Sequence, residues 1–464
     1  MNKTILIYLL FSFFAVFSCN NRTEQTASFE ASGEPIVAFT HVHVIPMTSE
    51  EILQDQTVIV EGEKIRVIGA DLEVPEGATV IDGSDKYLMP GLAEMHAHIP
   101  TDQNGTEIVE ETLFLYLSNG ITTIRGMLGA PYHLELRESV KNGEILGPRI
   151  YTSGPSFNGN SASSPEVAQQ MVREQKEAGY DFLKLHPGIA LENFNAIVET
   201  ANEVGIPYAG HVSTDVGVRR AIEAKYASID HVDGYLEGLV PSDAGVAPDQ
   251  NGFFGLNFTD LADTGRIQEL AQATREAGVW VVPTQSLLER WVGPTSPEAL
   301  GQQPEMKYMS NQTVGGWVRQ KNQFIHADNY TEAKANRFNE IRRQIIKALH
   351  DEGVGLLLGS DAPQVFNVPG FSIHHELDAM ILSGLTPYEA LKIGTVNPAA
   401  YFDAEGEFGT LVPGASADMI LLNGNPLEDV KNVERRAGVM VRGQWLPEEA
   451  IQQRLDEIAE KYTL

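Results

Sequence analysis

The segment Gly205-Ile206-Pro207-Tyr208-Ala209-Gly210-His211 carries the plan of the whole chain in seven residues. An amphipathic stretch stops at Gly205, a short apolar run begins at once, and a histidine closes it. Glycine readily takes the left-handed conformation that follows the last turn of a helix. A brief, unbroken apolar run directly after it fits a parallel strand buried on both faces. The same punctuation recurs on either side. Gly120 precedes Ile121-Thr122-Thr123-Ile124, and Gly179 precedes Asp181-Phe182-Leu183-Lys184-Leu185. Gly278 precedes Val279-Trp280-Val281-Val282, and Gly353 precedes Val354-Gly355-Leu356-Leu357-Leu358. With Leu88–His96, Arg149–Gly154 and Ser228–Val232 added, eight strands follow one another between residues 88 and 404. Eight βα units predict an α/β fold, a closed (β/α)8 TIM-like barrel, with active groups where the strands end.

Outward from the barrel the pattern becomes β-rich. Residues 34–87 contain the run Ile36–Ile45, a hairpin over Thr57–Ile68 and a short strand at Thr79–Asp82. Residues 405–446 return to the same character at Gly409–Gly414, Asp418–Leu422 and Gly438–Gly443. These two parts are expected to form one β-sandwich into which the barrel is inserted. A charged helix is expected over 447–464. The stretch 285–330 breaks the βα rhythm, and its length as a loop suggests a lid over the barrel mouth or a surface excursion.

The N-terminus has the features of a targeting segment. Lys3 precedes an apolar stretch, Ile5 to Phe17, too short to span a bilayer, which ends at Val16-Phe17-Ser18-Cys19. Residues 1–18 read as a lipoprotein signal peptide, Cys19 as the lipidated residue and 19–33 as a polar tether. The expected location is the bacterial cell envelope, lipid-anchored, or secreted if Cys19 carries no lipid. The chain has 33 Lys+Arg against 63 Asp+Glu and a formal net charge of -30. That balance argues against nucleic acid and against acidic lipid surfaces as partners, so membrane contact is expected only through the anchor. Homo-oligomerisation is left open. A single cysteine excludes a Cys-ligated metal site, so any metal is held by nitrogen and oxygen.

The chemistry lies in what ends the strands. His96 and His98 close the first barrel strand, and side chains two apart on a strand point the same way. Lys184 ends the fourth strand, His211 the fifth, His231 the sixth and Asp361 the eighth. Together they make a six-donor set open to water. The second such pair, His41 and His43, lies mid-strand in the β region and reads as solvent-facing. Lys184 sits in an apolar strand, where desolvation favours the neutral amine. A neutral amine can add carbon dioxide, giving an anionic carbamate able to bridge two metals; a structural lysine paired with an acid is the alternative. His186, Tyr235 and Arg125 stand where loops meet substrate, and each has a plain structural reading as well. His374 and His375 open a helix, with one of them a candidate to support the site.

The run Leu88-Met89-Pro90-Gly91-Leu92-Ala93-Glu94-Met95-His96-Ala97-His98 closely resembles the opening barrel strand of the metal-dependent amidohydrolase superfamily. Ile81-Asp82-Gly83 and Ser416-Ala417-Asp418-Met419-Ile420-Leu421 resemble it too. Lys184, His374-His375-Glu376-Leu377 and Gly384–Leu391 are most similar to the imidazolonepropionase-related and Xaa-Pro dipeptidase-like branch. The resemblance implies His96, His98 and Asp361 on one metal, His211 and His231 on the second, and Lys184 as a carbamate between them. It also implies two divalent ions, zinc expected. One departure stands out. Relatives often have an acidic residue after the arginine of strand two, whereas Gly126-Met127 follow Arg125 here.

Such a shell activates water at neutral pH and polarises a carbonyl, with Asp361 as the general base and acid that passes the proton to the leaving nitrogen. The reading is an amidohydrolase cleaving a C–N bond of a small peptide-like or N-acyl substrate. A lactonase or phosphoesterase on the same metals, and a catalytically silent metal-binding lipoprotein, are the alternatives.

Overall fold

The structure, a computed structural model, describes residues 33–463. The signal segment 1–18, Cys19 and all but the end of the 19–33 tether lie outside the described residues. Alternating apolar residues build the first strands: β1 (Ile36–Val44), β2 (Leu53–Glu61) and β3 (Lys64–Gly69) pair antiparallel in sequence order. The turn from β2 to β3 uses Gly62 at φ 57°, a conformation glycine adopts without cost. β4 (Thr79–Asp82) and β5 (Tyr87–Pro90) both run parallel to β1 on its other edge, one beside each half.

The chain leaves this sheet at Gly91. The expected first barrel strand, Leu88–His96, is in fact two strands: Leu88, Met89 and Pro90 belong to β5, and β6 runs Leu92–Ala97. A Cβ at Gly91 would stand 2.1 Å from the Thr122 hydroxyl, so only glycine allows the crossing there. β6, β7 (Ile121–Gly126) and β8 (Arg149–Thr152) form one parallel sheet. β9 (Leu183–Leu185), β10 (Tyr208–Gly210), β11 (Ser228–Asp230) and β12 (Trp280–Val282) form another. Between β8 and β9, Asp181 N donates to Thr152 O and Phe157 N to Lys184 O. From β12, Leu357 N reaches Val281 O; from the same segment, Leu358 O accepts from Met95 N and Asp361 N donates to His96 O. Parallel pairing therefore passes from β6 round to residues 355–362 and back to β6, forming a ring. That last segment makes isolated bridges instead of the regular strand expected. A Cβ on Gly355 would stand 2.1 Å from the Trp280 ring, so bare backbone there lets the indole pack close.

The helices Pro165–Ala178, Leu191–Val204 and Ile267–Ala277 each end on a left-handed glycine, Gly179, Gly205 and Gly278. Their apolar faces join the ring strands in one extended core.

After the ring, β13 (Met419–Leu422), β14 (Arg436–Val441) and β15 (Gln444–Pro447) return to the first sheet, and the helix Glu448–Thr463 follows. β13 lies antiparallel to β5, with Ile420 opposite Met89 and Leu421 opposite Leu88. The order is β15-β14-β13-β5-β1-β2-β3, with β4 also on β1. The sandwich expected from sequence is thus one continuous eight-stranded sheet, and side chains from both ends of the chain share its core. Gly409–Gly414 is not a strand. Gly409 and Gly414 are left-handed and Pro413 has no N–H, so the segment instead pins itself by Leu411 N to Pro46 O and Gly414 N to Ile65 O.

The stretch 285–330 is no open loop. It holds the helices Gln285–Val292, Pro297–Gly301 and Asn311–Ile325, and Trp317 and Tyr308 are buried in the core. No helix among the described residues is long and apolar enough to cross a membrane.

Candidate metal centre

The strand ends deliver their polar side chains to one place. β6 carries His96, and His98 follows its last residue; the 355–362 segment carries Asp361 back beside them. His98 Nε2 lies 2.6 Å and His96 Nε2 3.6 Å from Asp361 Oδ1. Ligand atoms of His96, His98 and Asp361 all lie within 4.8 Å of one another, close enough to hold one metal ion. Lys184 Nζ, at the centre of β9, is 3.4 Å from His96 Nε2. The His231 ring lies 4.4 Å from the His96 ring and 4.4 Å from that of His211. All six donors expected from the sequence therefore converge. His231 (φ 64°) and Asp361 (φ 62°) leave their strands in the left-handed region, which for such residues is costly and concentrates at functional sites.

Three of the histidine rings are in the protonation state that a metal requires. Burial holds His96 and His231 well below the ordinary histidine range and lowers His211 to about 3, so these rings are neutral. Burial likewise brings Lys184 down to about 8, which puts a free amine within reach near neutral pH. His231 Nδ1 meets the Thr284 hydroxyl at 2.9 Å, while its Nε2 is buried with no hydrogen-bond partner. A buried ring nitrogen is rarely left so. The ring stands 4.4 Å from those of His96 and His211, and such a gathering of neutral imidazoles fits a divalent cation.

A surrounding layer orients the donors, and sequence reasoning missed most of it. Asp233 Oδ2 lies 3.1 Å from His211 Nδ1 and accepts from Val212 N. Asp230 Oδ2 lies 2.7 Å from His96 Nδ1, off the line of an ideal hydrogen bond. Glu94, fully buried, accepts from His96 N and Ser360 N and so ties β6 to the segment bearing Asp361. The alternation of inward side chains signals Glu94, two before His96, whereas Asp233 lies past the left-handed His231 and Val232, where alternation has ended. Nothing local signals Thr284, or Phe254, whose ring lies 5.6 Å from the His231 ring and 6.0 Å from the His211 ring.

Two expected substrate residues are placed elsewhere. Tyr235 is fully buried, with its hydroxyl 2.8 Å from Thr274 on the helix Ile267–Ala277; it is a core residue. Arg125 is buried within the ring. It donates to both Asp230 oxygens, to Ser228, to Tyr401 and to Met95 O, and stands over the Phe182 and Tyr401 rings. Five engaged contacts leave it no donor for a substrate carboxylate. His186 does reach the site, stacked 5.2 Å from the His211 ring. His374 pairs with Asn119 and His375 with Glu305, and neither supports the six donors. In the sheet, exposed His41 lies 3.0 Å from Asp55, and His43 packs on Tyr87.

Residues 87–446 match the amidohydrolase family, and the chain belongs to it. It is accordingly an enzyme, a hydrolase acting on carbon–nitrogen bonds. Among curated relatives, the ochratoxinase of Aspergillus niger is 22% identical over 449 residues, covering 82% of this chain and 80% of that protein. The imidazolonepropionase of Idiomarina loihiensis is 22% identical over 416 residues, covering 82% and 90%. Among solved structures, a putative prolidase from Bifidobacterium longum superposes with a TM-score of 0.67 at 23% identity, over 91% of this chain and 99% of that one.

Proposed function

We propose that the protein cleaves an amide or peptide-like bond of a small substrate on a binuclear metal site held by His96, His98, Lys184, His211, His231 and Asp361, with the lysine as a carbamate. In this reading the ring is a (β/α)8 barrel, set between the two parts of the β domain, and the six donors line its mouth. The observation that carries it is the convergence of His96, His98 and Asp361 ligand atoms within 4.8 Å of one another, with the His231 ring 4.4 Å from the His96 ring and its buried Nε2 unpartnered. When bound, two divalent ions, zinc expected, supply a hydroxide nucleophile at neutral pH and polarise the scissile carbonyl.

The chain's own residues do the rest. Asp361 lies beside both His98 and His96, where it can accept the nucleophile's proton and return it to the leaving nitrogen. Thr284 fixes the orientation of His231, and Asp233 that of His211, which keeps the remaining ring nitrogens aimed at the site. A peptide-like substrate is supported by the prolidase among the structural neighbours. We further propose that Cys19 anchors the protein to the cell envelope by lipid.

Lys184→Ala tests the site without knowing the substrate. It should lower bound metal and turnover together, as read by metal analysis and by assays on dipeptides, N-acyl amino acids and lactones. Acetate with excess metal should restore part of both, since it replaces an anionic bridge, while Lys184→Arg should not. His41→Ala should leave metal content unchanged. Two metals per chain and full turnover in Lys184→Ala would refute the binuclear carbamate. Turnover confined to lactones would replace the amide reading with an ester one.

A further inference from the structure

Phe254 occupies a position that its sequence context does not explain. It belongs to the irregular segment between β11 and the helix Ile267–Ala277, and its backbone is left-handed at φ 49° and ψ 36°. An aromatic residue gains nothing from that conformation, and such strain persists where the surroundings impose it. Here they do. Gly252 (φ 70°) and Gly255 (φ 84°) bracket the turn, and a Cβ on Gly255 would stand 3.0 Å from the Glu237 carboxylate and from Leu236. Asn251 ties the segment down by donating to Glu237 Oε1 at 2.7 Å.

The result is a half-buried phenyl ring laid against His211 and His231, the two histidines assigned above to one metal. Phe253 meets Phe254 edge-on at 4.8 Å and itself rests against Trp291 at 4.7 Å and Phe324 at 5.3 Å. The 285–330 helices thus back the segment with an aromatic wall. Arg125 and Tyr235, the residues expected to receive substrate, are engaged elsewhere. His186 reaches the site from the side of His211, and Phe254, which borders both His211 and His231, is apolar and flat.

We propose that Phe254 is a substrate-contacting residue that sets specificity, and that the preferred substrates carry an aromatic ring next to the scissile carbon–nitrogen bond. The inference rests on the hydrolytic reading above and deepens it. A ring stacked on or set edge-on to Phe254 gains the attraction particular to aromatic pairs, worth about three- to tenfold in affinity. Substrates with small aliphatic groups there forgo it.

The test compares zinc-loaded wild type with Phe254→Ala and Phe254→Tyr on N-acetylglycine, N-acetylphenylalanine and N-benzoylglycine. Wild type should favour an aromatic compound in kcat/KM. Phe254→Ala should shrink that preference by about three- to tenfold, mainly through KM, with metal content unchanged, and Phe254→Tyr should retain it. An unchanged preference in Phe254→Ala would overturn the proposal. A calorimetric arm titrates phenylalanine and benzoate against glycine and acetate. Tighter aromatic binding that weakens in Phe254→Ala supports the contact. Equal binding of both kinds by wild type overturns it. Should wild type cleave none of the three amides, the N-acyl amino acid substrate class falls, and the titrations alone decide the role of Phe254.

Discussion

Arg125→Met, Asp230→Asn and the double variant measure what the interior ion pair contributes. Both side chains are fully buried, with Arg125 Nη2 3.0 Å from Asp230 Oδ2 and 3.2 Å from Oδ1. Removing the guanidinium strands a carboxylate whose remaining neighbours are Ser228 Oγ at 2.6 Å and His96. Breaking one side of such a pair costs about 3–5 kcal/mol, because the other charge stays buried without compensation. Asp230→Asn keeps the shape and leaves the guanidinium uncompensated, so its cost should be similar. The double variant carries no buried charge at this point and should cost less than the two singles together by at least ~2 kcal/mol. Urea unfolding of the chelator-treated protein, followed by tryptophan fluorescence, is a suitable assay, since Trp280 lies edge-on to Tyr401, itself bonded to Arg125. Metal content is the second readout. Both singles should bind less metal, because each disturbs the Asp230 carboxylate that lies 2.7 Å from His96 Nδ1. Additive costs would refute the coupling. A raised KM in Arg125→Met with stability and metal intact would restore the substrate role that the buried geometry withdraws.

Two further outcomes follow. Glu376 accepts from Gln285 N and Ser286 N at the start of the helix Gln285–Val292, and burial raises its carboxyl to about 7 from an ordinary 4.5. The folded state therefore keeps a proton that the unfolded chain has released: this contribution is full below about pH 4.5 and is lost as the pH rises through about 7. Glu376→Gln should remove a fall of roughly 3 kcal/mol across that window, read as the difference between wild-type and variant urea midpoints; parallel pH curves would count against it. Cys19→Ser should move the protein from the membrane to the soluble fraction on cell fractionation, and unchanged membrane association would reject the anchor.

Lys184, His211 and Asp361 were legible because two regularities meet at each of them. Helix-ending glycines mark where ring strands begin, and their short apolar runs mark where they end, so a polar residue at that end stands out, as His211 and Asp361 do. Partners brought together from distant segments have no such signature. Arg125 and Asp230 are 105 positions apart, and only closure of the ring sets them side by side. Tyr235 shows how proximity misleads. It follows His231 closely, yet Gly234 at φ 78° turns the chain so that the ring faces Thr274. The 285–330 helices were readable in part. Ser296 and Ser310 cap theirs by accepting from Ala299 N and Thr313 N, but scattered glycines and polar residues hide the periodicity between the caps.

The ion pair bears on the lysine as well. A buried lysine beside an acid would ordinarily remain an ammonium, and Asp230 is the fully buried carboxylate among the groups that favour its charged form. Arg125 takes both oxygens of that carboxylate and adds a positive charge of its own to the interior, which pushes Lys184 further toward the amine. Desolvation then outweighs the remaining attraction, and Lys184 loses its proton at about 8, near neutrality, instead of at 10.5. The arginine first read as a substrate anchor is thus, on this geometry, one cause of the lysine's lowered proton affinity. Asp230, the largest of the carboxylate influences on Lys184, is already committed to Arg125.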